Sequence, residues 1–163
     1  MKNKPNKPMQ AYSSYLVLDP ETITRKANDA AASILRLKKR LHFSHLVVSG
    51  YSGSLFGGIV SSLTHIPLVV VRKEAAGGSH HGSQVEATPN DLIKSYLILD
   101  DFIASGDTVR RIYLTIVDYC ARLDFKAPKI KGVFLYNSEK FLTKTVVLYY
   151  DEDRNPVTCM CYS

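Results

Sequence analysis

Two adjacent carboxylates, Asp100 and Asp101, close the short apolar run Tyr96-Leu97-Ile98-Leu99. Paired carboxylates at a strand tip suit sugar hydroxyls, or a hydrated divalent cation that takes hard oxygen donors. After Phe102 and Ile103 comes a small-residue turn, Ala104-Ser105-Gly106-Asp107-Thr108. Val109 onward has a helical pattern, so this turn leads into a helix start, where backbone N–H groups without intrahelical partners suit a phosphate. A second small-residue turn, Ser49-Gly50-Tyr51-Ser52-Gly53, follows another apolar run. Its backbone N–H groups can form an anion nest. Arg72-Lys73 ends a third apolar run, and His80-His81 lies a few residues beyond. Cations in that position can neutralise a departing anion, and histidine can donate a proton near neutral pH.

The elements that must hold these groups alternate. Asp19-Pro20-Glu21 is a helix start: an Asp cap, Pro at the first helical position, an acid in the first turn. Ile23, Ala27, Ala30, Ala31, Ile34, Leu37 and Leu41 then recur at spacings of three and four, one helical face. Strands are expected at Phe43–Ser49, Pro67–Val71, Tyr96–Asp101, Lys131–Tyr136 and Thr145–Tyr150, with Val157–Tyr162 as an edge strand. Leu55–Thr64 is expected to be a helix in which Gly57 and Gly58 allow close packing. A further helix is expected from about Gly106 to Leu123, with Ile112, Ile116, Tyr119 and Leu123 on its apolar face. Strand, turn, helix, strand with short connections predicts an α/β fold around a mostly parallel sheet with right-handed crossovers. In such a sheet ligands bind beyond the carboxyl ends of the strands, and all three turns fall there. Ala75–Asn90 has no apolar periodicity and reads as a long functional loop.

At 163 residues the chain is sized for one domain, residues 1–163, with a polar N-terminal tail over 1–10. No run is long enough for a membrane span, and the N-terminus lacks the apolar stretch of a signal peptide, so a cytoplasmic protein is expected. Three cysteines make no disulfide framework. Cys120 falls on a helical pattern as a small core residue, and Cys159-x-Cys161 lacks the further ligands a zinc site needs. The net charge of +6 favours phosphate-rich ligands or nucleic acid without choosing between them. Arg36, Lys38, Lys39 and Arg40 crowd the end of the first helix, where cations complement the helix dipole. That reading outranks a nucleic-acid patch.

The acidic pair and its turn resemble the phosphoribosyl pyrophosphate (PRPP) motif of the type I phosphoribosyltransferases. That motif is a hydrophobic strand, two acidic residues, a short variable stretch, then Thr/Ser-Gly-x-Thr. Here Ser105 stands where Thr is commoner, and Asp107 puts a carboxylate in the phosphate turn, tolerable when it faces solvent. The resemblance covers roughly residues 43 to 137 and rests on all three turns. It implies a type I phosphoribosyltransferase-like fold with a small hood from the chain ends. It implies Mg²⁺-dependent transfer of phosphoribose from PRPP to a nucleobase, releasing pyrophosphate, as a nucleotide-salvage enzyme does. Asp100 and Asp101 would engage the ribose and the Mg²⁺, the latter mainly through water. Ala104, Ser105, Gly106, Asp107 and Thr108 would hold the 5′-phosphate. Ser49, Gly50, Tyr51, Ser52, Gly53, Arg72 and Lys73 would hold the pyrophosphate. A homodimer is the implied assembly.

Val71-Arg72-Lys73-Glu74 looks most like the orotate branch, where Arg-Lys-Glu opens a mobile loop. That branch has a further loop lysine followed by His-Gly, whereas no lysine occurs here between Lys73 and Lys94. His80 or His81 must then supply the loop cation. The alternatives are a PRPP-binding regulator that has lost catalysis, or an RNA-binding protein using the basic helix end. Phe134, Tyr136, Phe141, Tyr149 and Tyr150 are available for base stacking, though each taken alone is better read as a core or edge aromatic. No residue pattern separates purine from pyrimidine.

Overall fold

The computed structural model describes residues 19–73, 84–88, 92–103 and 106–142, and the backbone alone of 146–150 and 156–159. The N-terminal tail, most of the 75–90 segment and Cys161 lie outside the described residues. Helix α1 (Pro20–Leu41) starts as its cap chemistry dictates: the Thr22 N–H donates to Asp19 Oδ2 at 2.8 Å. It stops at His42, which turns left-handed and donates its N–H to the Lys38 carbonyl. Ala27, Ala30, Ala31, Ile34 and Leu41 are buried, and Ile23 and Leu37 pack at the edge of the same face.

The chain then alternates through β1 (His45–Ser49), α2 (Gly50–Thr64), β2 (Leu68–Val71), β3 (Val85–Glu86), β4 (Ser95–Asp100), α3 (Asp107–Arg122), β5 (Lys129–Leu135) and β6 (Lys140–Leu142). These strands form one six-stranded sheet in the order β3-β2-β1-β4-β5-β6. The four central strands are parallel, and β3 and β6 run antiparallel at the two edges. Alternation along each strand sends side chains to opposite faces. Leu46, Val48, Leu97 and Leu99 pack with Ile34 of α1 and with Phe56 and Val60 of α2. Val47 and Ile98 pack on the other face against Val109, Ile112, Ile116 and Cys120 of α3. Both faces are covered, which is why the central strands are apolar throughout.

Several sequence expectations change. The buried stripe of α3 runs through Val109, Ile112, Ile116 and Cys120; Tyr119 is half-buried and Leu123 is 46% exposed. The stripe holds as expected at Ile112, Ile116 and the core residue Cys120, and departs only at Tyr119 and Leu123, because Cys120 sits over the sheet in the place expected of Tyr119. Helix α2 starts at Gly50 rather than Leu55, so the expected turn is the helix's own first turn. β7 (Val146–Tyr150) and β8 (Pro156–Cys159) pair with each other in a separate antiparallel ribbon. The side chains of that ribbon lie outside the described residues, as do residues 1–18 of the expected hood.

Of the two α2 glycines, only Gly57 is a packing contact. A Cβ there would stand 2.6 Å from Val48 Cγ1 and 3.2 Å from Leu68 Cδ1, whereas at Gly58 nothing lies within 4 Å. Gly57→Ala is therefore expected to push α2 off the sheet and cost ~1–3 kcal/mol. Gly58→Ala is expected to be neutral or to stabilise by ~0.5–1 kcal/mol through helix propensity. Urea unfolding of the pair checks this; equal effects would remove Gly57 from the packing account.

Candidate functional site

The strand order reverses between β1 and β4: the chain leaves β1 through α2 to β2 on one side, and β4 lies on the other. A crevice forms at such a switch point, beyond the carboxyl ends of the strands. Here it is a cavity of about 260 Å³ lined from three segments, the β1–α2 junction, the end of β2 and the β4–α3 connection, with Tyr136 after β5 as a fourth contributor.

The β1–α2 junction contributes Ser49, Gly50, Tyr51, Ser52 and Gly53. Ser49 is extended (φ −140°, ψ 147°) and Gly50 has φ +75°, a left-handed value that lets the strand turn directly into the helix. The Ser49 hydroxyl makes no cap bond to α2; it donates instead to the Val71 carbonyl at 2.7 Å. The first N–H groups of α2 thus have no capping hydroxyl from Ser49, and they lie at the cavity wall.

Lys73, two residues past β2, lines the cavity with its side chain over Gly50. Its Cε and Nζ lie 3.2 and 3.7 Å from where a Cβ on residue 50 would stand. Arg72 goes elsewhere. Its guanidinium pairs with Glu86 of β3, its N–H donates to the Gln84 carbonyl, and it is not among the cavity residues. The reason is the β2–β3 ladder, in which Val70 stands opposite Glu86.

The third segment brings Asp100, Asp101, Phe102, Ile103, Gly106, Asp107 and Thr108 to the same cavity. The Asp101 N–H donates to Asp100 Oδ1 at 3.0 Å and the Phe102 N–H to Asp101 Oδ1 at 2.9 Å, which fixes the turn after the strand. Burial, and then the charge of Asp101, push the Asp100 carboxyl up to about 7, against the opposing pull of the Asp101 N–H and Lys73. Gly106 caps α3 with φ +85° and no side chain, leaving the helix start open to the cavity. Asp107 is exposed at the first helical position, where the helix dipole favours a carboxylate. Ala104, Ser105, His80 and His81 lie outside the described residues.

Two further residues stand at this site: Tyr136, which the sequence offers only as one of five stacking aromatics, and Arg111, which no sequence pattern singles out. Tyr136, after β5, is 4% exposed and stacks on Phe56 with ring centroids 4.1 Å apart, yet part of it lines the cavity. Burial, with Asp101 and Asp100 nearby, holds its phenol protonated well above the usual range. Arg111, on α3, donates from Nη2 to Ser49 Oγ at 2.8 Å. Of the other aromatics, Phe134 is core and Phe141 is half-buried on β6, away from the cavity. The side chains of Tyr149 and Tyr150 lie outside the described residues. Arg36 and Arg40, at the basic end of α1, lie beside Phe134, Glu139 and Phe141, in a place separate from the cavity.

Sheet order, flanking helices and the switch-point cavity define the class of fold: it is that of the type I phosphoribosyltransferases. In particular, the chain is similar to UMP synthase from Leishmania donovani, with a TM-score of 0.53 and 18% identity over 72% of this chain and 22% of that one. It is also similar to orotate phosphoribosyltransferase from Francisella tularensis (TM-score 0.47, 18% identity, 74% of this chain and 54% of that one). The corresponding enzyme from Aeropyrum pernix gives a TM-score of 0.48 and 14% identity over 71% and 62%. The chain thus spans 22% to 62% of the length of these three proteins. No protein-family model and no curated protein matches the sequence. No helix among the described residues is long and apolar enough to cross a membrane.

Proposed function

We propose that this chain is an Mg²⁺-dependent phosphoribosyltransferase that moves the phosphoribosyl group of PRPP to a nucleobase and releases pyrophosphate. One observation carries the reading: two open helix starts, a lysine and a half-buried carboxylate pair converge on a single cavity at the switch point of the sheet. A diphosphate and a monophosphate joined by a ribose match that arrangement of anion sites on either side of hydroxyl acceptors. The bond from ribose C1 to the pyrophosphate oxygen breaks, a bond from C1 to a base nitrogen forms, and the proton on that nitrogen leaves.

The chain's residues take distinct parts. The N–H groups at the start of α2 and the Lys73 ammonium receive the pyrophosphate and offset the charge it gains on leaving. The N–H groups at the start of α3, with the Thr108 hydroxyl, hold the 5′-phosphate. Asp100 and Asp101 accept the ribose hydroxyls and favour positive charge on the sugar. Phe102, 48% exposed, and Tyr136 flank the side where a planar base enters.

The donor set also fits Mg²⁺. Among the described residues no three His, Cys, Asp or Glu side chains cluster, and Mg²⁺ is commonly held by one or two carboxylates plus substrate phosphates. Asp100 and Asp101 would hold it, mainly through water, and it would supply charge to the departing pyrophosphate. The reading extends to a cytoplasmic homodimer in nucleotide salvage. A second reading, a PRPP-binding regulator without turnover, is favoured by the lack of a lysine between Lys73 and Lys94.

PRPP with Mg²⁺ is expected to raise the thermal midpoint, adding about 2.7 kcal/mol at a concentration of 100 times its dissociation constant. No shift across millimolar PRPP would end both readings. Pyrophosphate release measured over a panel of bases separates them, since the regulator binds PRPP and releases none.

A further inference from the structure

Arg111 stands on the second turn of α3, outside all the turns that supply the ligand groups. Its Nη2–H donates to Ser49 Oγ at 2.8 Å, and the Ser49 hydroxyl donates onward to the Val71 carbonyl at 2.7 Å. Its Nε is buried without a hydrogen-bond partner, and among the described residues it makes no ion pair. A guanidinium tolerates such a place when its fork is committed to a fixed geometry.

The chain of two hydrogen bonds joins three segments that are distant in sequence. Ser49 is the last residue of β1 and precedes Gly50, where the pyrophosphate turn begins. Val71 is the last residue of β2, two before Lys73. Arg111 belongs to the helix whose open start faces the same cavity. We infer that Arg111 is a positioning residue: acting through Ser49, it holds the start of α2 and the Lys73 segment in register, so that both meet one pyrophosphate. This rests on the phosphoribosyl reading of the cavity. A diphosphate that bridges a helix start and a lysine needs both at a set separation, and small misplacements of binding groups are costly. The 5′-phosphate turn depends on the start of α3 itself and not on this link.

The test is calorimetric titration of inorganic pyrophosphate and, separately, ribose 5-phosphate, each with Mg²⁺. The proteins are the wild type, Arg111→Met, Ser49→Ala and the double variant. Each single substitution is expected to weaken pyrophosphate binding about tenfold, the scale of one charge-assisted hydrogen bond. The double variant is expected to be no weaker than either single one, because residues acting in series do not add. Ribose 5-phosphate affinity is expected to hold in all four proteins. Unchanged pyrophosphate affinity in Arg111→Met, additive losses, or an equal loss of ribose 5-phosphate affinity would each overturn the inference. Should Arg111→Met not fold, Arg111→Gln takes its place: its pyrophosphate affinity must fall while its ribose 5-phosphate affinity stays, and Ser49→Ala must add nothing to it. A wild type that binds neither ligand overturns the phosphoribosyl reading, and this inference with it. A wild type that binds both, with variants that behave like it, overturns this inference only.

Discussion

Replacing Asp100 and Asp101 together by Asn is expected to lower turnover of PRPP on the order of 10³-fold or more, since each electrostatic group of this kind contributes about 10²–10³. The fold is expected to survive. Both carboxylates sit at the end of β4, and Asp100 is held there at a cost, because burial and its neighbour's charge oppose its ionisation. The pH dependence of stability gives an independent check. The Asp100 carboxyl is raised from 3.8 to about 7 in the folded chain. Between those values the folded state therefore binds more protons than the unfolded state, and stability falls as pH rises through that window. The contribution is fully present below the unfolded value and gone above about 7. The Asn variant is expected to lose this fall and to match or exceed the wild type in urea midpoint at pH 8. Wild-type turnover in the double variant would sink the catalytic assignment. Identical pH profiles of stability would sink the burial account of Asp100.

Lys73→Met is expected to lower turnover by ~10²-fold, the cost of removing one donor aimed at developing charge. Methionine keeps an unbranched apolar stem of the kind that now lies over Gly50, so the loss reports on the ammonium and not on packing. Arg72→Met, one residue earlier, is expected to change turnover by only a few fold, because its guanidinium is committed to Glu86. Paired kinetics on the two variants decide the matter. A larger loss at Arg72 than at Lys73 would mean that the pair with Glu86 opens during the reaction and that the assignments must be exchanged.

Much of this architecture is legible locally. The Asp19 cap, the three-and-four spacing from Ile23 to Leu41 and the apolar runs of β1, β2 and β4 are each set by neighbours within a few residues. The acidic pair and both small-residue turns are legible for the same reason, since a turn's residue types follow from its own backbone. Helix α2 shows where local reading fails. Gly50 through Ser54 has loop composition, yet it is helical, because the following apolar residues pack on β1 and carry the helix back to the strand end. Strands β3 and β6 have two and three residues and exist only through the ladders they make with β2 and β5.

The sequence by itself determined the alternating α/β order, the parallel core and the three turns that meet at one end of the sheet, because periodicity and turn chemistry are short-range properties. Only the tertiary structure decided which cation faces the cavity, since Arg72 and Lys73 are adjacent and differ in having Glu86, 14 residues away from Arg72, within reach. It alone brought Tyr136 to the acidic pair, through the register that sets Asp100 opposite Leu135. It alone joined Arg111 to Ser49 across 62 residues. These are contacts between side chains whose separation is set by strand order and helix packing, and no pattern within a single segment encodes that distance.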